Sequence, residues 1–301
     1  MYKKTMKLSL AMLTMIALAP AAWAQDVATA KVDVQNEEAP VVVKAEPAVA
    51  AKAVVAASDT AGKYVKDATD LAGAAKFLEK ADANHNPFTD QTIRTRMTLN
   101  GGIHNGNMYL FDTYTKGENR RAVRFSEPPE MRGMGGVIKG RNEVYARLPD
   151  SEKVRRVGTH SKRQSFYGSD WSMDDMSMIY LGKDYNVKKI VNLKSDGGKT
   201  LTLELQLKEG VDLPYPKLVI KLDRELALIN YIEYYADNMK FKKKQERFDL
   251  KEVGGGYPIY SRVVLTDIDS KHTTQNEVLE EKINQNIPDD NFSKRWLVRS
   301  L

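Results

Sequence analysis

Cysteine is absent from the 301-residue chain. Its absence excludes disulfide bonds, cysteine-type zinc sites and acylation at a lipobox cysteine. Histidine is scarce, because the chain has only four such residues. They are scattered and never form a ligand spacing such as His-x-x-x-His, so the sequence predicts no metal site. The four are His85, His104, His160 and His272.

Motifs for catalysis and for nucleotide binding are lacking too. The glycine-rich run Gly133–Gly136 is not followed by Lys-Ser, so it does not predict a phosphate-binding loop. The tripeptide Gly168-Ser169-Asp170 lacks the Gly-x-Ser-x-Gly pattern of a nucleophile elbow. We therefore predict that the protein is not an enzyme and carries no cofactor.

A continuous apolar run stands out only at the N-terminus. Three lysines precede Leu8–Pro20, an apolar run too short to span a bilayer, and Ala22-Trp23-Ala24 fits the small-x-small cleavage rule. We predict a signal peptide over residues 1–24 that is cleaved after Ala24. Export without lipidation indicates a soluble protein of the bacterial periplasm.

Aromatic residues are absent from residues 25–58, which consist largely of Ala, Val, Lys, Glu and Pro. Such a segment cannot bury enough apolar area to offset the entropy lost on ordering, so we predict a disordered tether.

Positive charge predominates after the tether. Residues 25–60 contain six acids and three lysines, whereas the part from Ala61 onward carries a formal charge of +6. A moderately basic domain suits anionic lipid headgroups. Nucleic acid would suit it as well, but an exported protein rarely meets any, and solubility alone explains the charge equally well.

The hydrophobic period changes along the folded part. From Asp59 to Asp82, apolar residues recur at three- and four-residue spacing, which predicts an amphipathic helix. After Pro87 the period is two, and about ten or eleven strands follow, joined mostly by short turns that imply antiparallel pairing. We predict a mainly β (α+β) domain over residues 59–301. Its single curved antiparallel sheet would form an incomplete β-barrel with a lid or plug of two or three α-helices.

The segment Lys153–Met178 separates two series of strands. It begins basic and then becomes aromatic and rich in methionine. Ser172 fits a helix N-cap, because Asp174 and Asp175 would occupy the first turn, where the helix dipole favours anions. We predict a loop and a short helix that lie across the sheet. The simpler alternative is that the aromatic side chains only plug one end of the core.

Two clusters of basic residues are open to interpretation. Arg155-Arg156, beside Lys162-Arg163, is the better candidate for an anion site. The run Lys242–Lys244 is predicted to be a solvated turn or strand edge.

The 153–178 segment resembles the outer-membrane lipoprotein-sorting-like proteins, relatives of the lipoprotein carrier LolA and its receptor LolB. The matching residues are Arg155, Arg156, Phe166, Gly168, Ser169, Asp170, Trp171, Ser172 and Asp175, with Arg132-Gly133 before them. The resemblance covers residues 86–301. It implies an incomplete β-barrel with a helical lid, a concave apolar face that binds acyl chains, and an association with RND-type exporters. The 25–58 tether departs from the family pattern.

This resemblance favours a periplasmic carrier that holds acyl chains of lipoproteins or other lipids in an apolar cavity and shuttles them toward the outer membrane. The expected partner is an RND-type or other inner-membrane transporter; a monomer is expected, and no nucleic acid. Methionine repacks easily around variable chains. The candidate lid and cavity residues are Arg132, Arg155, Arg156, Phe166, Tyr167, Trp171, Met173, Met176, Met97, Met108, Met131 and Met134. A non-catalytic envelope sensor of the same fold and an outer-membrane β-barrel are the alternatives.

Overall fold

The computed structural model describes residues 68, 70–147, 153–192 and 198–299. The predicted signal peptide, the tether and the start of the predicted first helix lie outside the described residues. The helices of the described part are α1 (Leu71–His85), α2 (Thr159–Lys162), α3 (Met173–Ser177), α4 (Leu181–Asp184) and α5 (Lys294–Val298). Short 3-10 turns cover Gly102–His104, Pro129–Met131 and Asp289–Phe292.

The described residues form thirteen strands, two or three more than the number predicted. They are β1 (Asp90–Asn100), β2 (Met108–Lys116), β3 (Arg120–Glu127), β4 (Gly135–Lys139), β5 (Glu143–Arg147), β6 (Arg155–Arg156), β7 (Tyr185–Asn192), β8 (Thr200–Leu207), β9 (Lys217–Asp223), β10 (Leu228–Tyr235), β11 (Phe241–Val253), β12 (Tyr257–Asp267) and β13 (Thr273–Ile283). Strand β6 has only two residues, too few to show an alternation of apolar and polar residues, so the sequence pattern does not predict it.

All thirteen strands belong to one antiparallel sheet in the order β6-β5-β4-β3-β2-β1-β13-β12-β11-β10-β9-β8-β7. The sheet is not closed, so the predicted incomplete barrel with few helices is confirmed. Its two edge strands, β6 and β7, follow one another in the chain. The segment that joins them must therefore pass from one edge of the sheet to the other.

Helix α1 differs from the predicted helix at both ends. Asp70 is extended, with φ −127° and ψ 175°, and its side chain accepts a hydrogen bond from Gly73 N at 2.7 Å. This N-cap starts α1 at Leu71, so the predicted helical stretch from Asp59 to Asp82 is interrupted at Asp70, and its predicted start lies outside the described residues. The helix ends at His85, three residues beyond the predicted Asp82.

The inner face of the sheet carries two separate apolar clusters. In the first, Phe77 and other apolar residues of α1 pack on β7–β10, whose fully buried side chains include Leu203 and Ile220. In the second, residues that follow β6 pack on β1–β5 around Phe125. Helix α5 covers part of the outer face, where Trp296 and Leu297 pack with residues of β3 and β4.

We expect Phe77→Ala to lower the free energy of unfolding by about 3–5 kcal/mol, because the change opens a cavity beneath α1. Urea denaturation followed by far-UV circular dichroism measures this loss. The neighbouring Lys76→Ala is the matched control, since Lys76 is exposed on the same helix. Equal stability of the two variants would show that α1 does not pack on the sheet in solution.

Candidate functional site

Residues 157–180, here called the strap, lie between edge strand β6 and helix α4. The strap carries α2 and α3. Phe166 and Met173 are buried, and Trp171 is partly buried, against the β1–β5 half of the inner face. The strap is therefore the second plug of the inner face, beside α1.

Helix α3 of the strap begins with a reciprocal pair of hydrogen bonds. Asp175 N donates to Ser172 Oγ at 3.1 Å, and Ser172 N donates to Asp175 Oδ2 at 2.7 Å. This capping box satisfies backbone groups that have no partner inside the helix. The predicted N-cap and short helix are confirmed.

A buried ion pair ties the strap to the middle of the sheet. Lys243 Nζ on β11 lies 2.6 Å from Asp175 Oδ2, with side-chain exposures of 6% and 1%. The same ammonium donates to Asp170 O at 3.1 Å. Lys242 and Lys244 are partly exposed. The prediction that the Lys242–Lys244 run is a solvated turn or edge is thus wrong for its central residue, because strand alternation turns Lys243 inward.

A second set of bonds ties the strap to β13. Asp170 Oδ2 accepts from Thr274 Oγ1 at 2.7 Å and from His272 Nδ1 at 2.8 Å, and Asp170 N donates to Thr274 Oγ1 at 2.8 Å. Thr274 is fully buried. Across the described ranges, no group of three His, Asp or Glu side chains is placed to hold a metal ion.

The strap also contacts the β1–β6 half of the chain. Gly168 has φ +78°, and a Cβ atom there would lie 2.6 Å from His104 Cδ2, so both backbone conformation and space require glycine. Tyr167 Oη donates to Arg147 O at 2.6 Å, and Arg121 Nη1 on β3 donates to Met176 O at 2.9 Å. Polar contacts thus hold the strap to both halves of the sheet.

A cavity of about 270 Å³ lies between the strap, the C-terminal end of α1 and strands β1 and β10–β13. Apolar lining residues include Ile93, Trp171, Met178, Ile229, Ile232, Val263 and Val278. Polar lining residues include Asp82, His85, Gln91, Arg121, Asp175, Gln245, Arg247 and Glu281. The cavity therefore has a mixed lining, whereas the sequence predicted an apolar one.

Two arginines on different strands line this cavity. Burial lowers the pKa of the Arg121 guanidinium to about 10 and also lowers the pKa of Arg247. Arg247 contacts Nε2 of His85, whose pKa is held well below its ordinary value by burial, so the imidazole is neutral and accepts. The Gln245 amide is oriented with its nitrogen donating to Tyr234 Oη. Its oxygen then accepts from Arg247 Nε at 2.8 Å and from Arg247 Nη2 at 3.0 Å.

Asp82, near the end of α1, joins this helix to α4. Its carboxylate accepts from Leu181 N at 3.0 Å and from Gly182 N at 2.7 Å. Burial raises the pKa of Asp82 to about 6, although the two amide bonds act in the opposite direction. Protonation of this carboxyl therefore takes place closer to neutral pH than for an ordinary aspartate.

The candidate residues named from the sequence fall into three places. Eight of them belong to the second apolar cluster of the inner face, around Phe125: Phe166, Tyr167, Trp171, Met97, Met131, Met134, Met173 and Met176. Of these eight, only Trp171 lines the cavity. Arg132 and Met108 line a separate groove of about 500 Å³ beside Pro128 and Pro129. Arg155 and Arg156 are exposed on β6. The ligand-binding role of all twelve stays a prediction.

Sequence reasoning missed Asp82, Arg121, Lys243 and Arg247. The signal for two of them was present in β11, where period two places Lys243 and Arg247 on one face. Nothing in the local sequence indicates that Arg121 and Arg247 line the same cavity, because they lie on β3 and β11, far apart in the chain.

A family model described as an uncharacterized protein matches residues 117–299, which is more than half of the chain. The chain belongs to this family. A search of curated proteins found no significant match.

Solved structures show the fold. A LolA superfamily protein from Nitrosomonas europaea has 19% identity and a TM-score of 0.61, covering 73% of this chain and 97% of its own. A domain named for outer membrane lipoprotein sorting from Vibrio parahaemolyticus has 18% identity and a TM-score of 0.67, covering 75% and 98%. A DUF1329 family protein from Desulfovibrio piger has 20% identity and a TM-score of 0.68, covering 76% and 100%. The predicted LolA-like resemblance is thus confirmed as a shared fold.

Among the residues that the structure describes, no helix has both the length and the apolar character that crossing a membrane requires.

We expect Lys243→Met to lower the free energy of unfolding by about 3–5 kcal/mol, because Asp175 is left buried without its cation. Chemical denaturation measures the change. Lys244→Met is the matched control, since this side chain is 32% exposed on the other face of β11, and its change should stay within about 0.5 kcal/mol. A loss as small as the control's would mean that the ion pair does not hold the strap.

Asp82 should make stability depend on pH. Its folded pKa of about 6 exceeds the ordinary 3.8, so between these values the folded chain binds more protons than the unfolded chain. Stability from this group is therefore lost as pH rises from about 4 to about 6, by on the order of 2 kcal/mol. The difference in unfolding free energy between wild type and Asp82→Asn should follow this trend; a constant difference across the window contradicts the assignment.

Proposed function

We propose that the protein is a non-catalytic periplasmic carrier that binds acyl chains of lipids or lipoproteins on the inner face of its sheet. The observation that carries the proposal is the construction of this face. It is apolar at both ends, each end is covered by its own separately tethered plug, and a cavity lies between the two plugs. The fold shared with a domain named for lipoprotein sorting supports the same function.

The cavity volume implies that the strap moves when a long chain binds. About 270 Å³ falls below the usual range of about 300–1,000 Å³ for small-molecule sites. Displacing the strap would uncover the apolar side chains of β1–β5, among them Phe125. Each acyl CH2 transferred from water to such a surface contributes about 0.8 kcal/mol, so one or two chains are sufficient for affinity without any covalent step.

The polar contacts of the strap suit a gate. Apolar packing alone is non-directional, whereas the Asp175–Lys243 pair and the Asp170 bonds fix one closed position. Opening would break these few directional contacts together. In this proposal the predicted export signal places the carrier in the periplasm, and an inner-membrane transporter of the RND type supplies its cargo.

Locking the strap tests the proposal. The double variant Asp170→Cys/Thr274→Cys replaces two side chains whose Oδ2 and Oγ1 atoms are 2.7 Å apart, in a chain that otherwise has no cysteine. After oxidation, binding of a fluorescent fatty acid should fall at least ten-fold, and reduction should restore it. A thiol assay confirms that the bond has formed.

Each single cysteine variant, treated with the same oxidant, is the control; because it loses bonds that hold the strap closed, it should bind at least as tightly as the wild type. Unchanged binding by the locked protein would exclude the strap as the gate. If the wild-type protein binds no fatty acid and carries no lipid detectable by mass spectrometry after solvent extraction, the carrier function itself is wrong.

A further inference from the structure

The cavity between the two plugs holds more cationic donors than the apolar ligand of the proposed function requires. Arg121 reaches it from β3 and Arg247 from β11, and both guanidinium groups line the same space. A guanidinium does not lose its proton at physiological pH, so each half-buried arginine keeps a full positive charge at the cavity.

Neither arginine has a carboxylate partner among the described residues. Arg121 donates to the carbonyl of Met176, and Arg247 donates to the Gln245 amide and to neutral His85. These acceptors are uncharged. A buried cation normally requires an anion in contact, because neutral acceptors offset only part of its desolvation.

The carboxylates that line the cavity bond to groups other than the two arginines, and Asp175 Oδ1 and Glu281 Oε2 have no hydrogen-bond partner within the described residues. Asp175 is paired with Lys243, and Asp82 accepts from two backbone amides at the start of α4. Glu281 accepts from the side-chain amide of Gln91. None of these carboxylates is in contact with Arg121 or Arg247, although the charge of Asp82 acts on Arg247 through space and raises its pKa.

Two residues that line the cavity carry buried donor atoms without partners. Trp171 Nε1 and Arg121 Nε are buried, and neither has a hydrogen-bond partner within the described residues. Both are N–H donors that an acceptor could satisfy. Planar guanidinium edges match the oxygens of a carboxylate or a phosphate, which accept several such bonds at once.

We propose that this cavity binds the anionic head group of a single-chain amphiphile, a carboxylate or phosphate held by Arg121 and Arg247, with the chain running beneath the strap. The proposal rests on the carrier function and specifies its ligand class. The mixed lining then has a use: the polar part receives the head group, and the apolar part, with Trp171 and Ile93, receives the first methylenes.

Three probes with the same twelve-carbon chain distinguish the contribution of the head group to affinity from that of the chain. They are dodecanoate, dodecyl phosphate and 1-dodecanol, each used below its critical micelle concentration. Calorimetry or thermal-shift titration of the full-length protein should show at least one anionic probe bound about ten-fold or more tightly than the alcohol. Which anion binds more tightly identifies the head group.

Arg121→Met and Arg247→Met should each abolish this preference, read as the ratio of the anionic probe's affinity to that of dodecanol, because Arg121 also donates to Met176 O of the strap and its loss can change both affinities. Arg262→Met is the matched control, because Arg262 lies on β12 paired with Asp249 at 2.6 Å and does not line the cavity. If one variant fails to fold, the wild-type comparison of the three probes still decides the question.

Equal affinity of the wild-type protein for all three probes would overturn the head-group site and leave the carrier function standing. Binding of inorganic phosphate as tightly as dodecyl phosphate would show a site for a free anion and overturn the amphiphile. Absence of binding by every probe, together with absence of fatty-acid binding, would overturn both proposals.

Discussion

The order of strands imposes the constraint from which the rest of the structure follows. Strands β6 and β7 are consecutive in the chain but form opposite edges of a thirteen-stranded sheet. The residues between them must cross from edge to edge, and here they cross the inner face. A strap is therefore an obligatory part of this topology, and its buried contacts with Lys243 on β11 and Thr274 on β13 decide where it lies.

The strap is held by a combination of forces that differ in character. Its aromatic and thioether side chains gain from burial wherever they meet an apolar surface, so they supply affinity without a fixed position. The capping box at Ser172 presents Asp175 to Lys243, and Gly168 allows the close approach of His104. A buried ion pair adds little net stability compared with apolar packing, but losing one partner is costly, so it selects one arrangement.

The inner face is divided into three parts. Apolar strands lie under α1 and under the strap, and between them β11 and β13 present polar side chains to a cavity. This middle part costs free energy to form, because Arg121, Arg247 and Asp82 lose hydration there. The pKa of Asp82 rises and the pKa of Arg121 falls for the same reason, the loss of hydration. Such a cost is characteristic of sites that select a polar group.

The sequence by itself determined the antiparallel sheet, most of its strands and the cap of α3, because these depend on local period and on residues a few positions apart. It also carried the resemblance that the shared fold confirms. Tertiary structure alone decided that Lys243 lies inside and that Arg121 and Arg247 line one cavity. Those facts depend on which strands become neighbours and which face is covered, and contacts between residues far apart in the chain leave no local periodic signal.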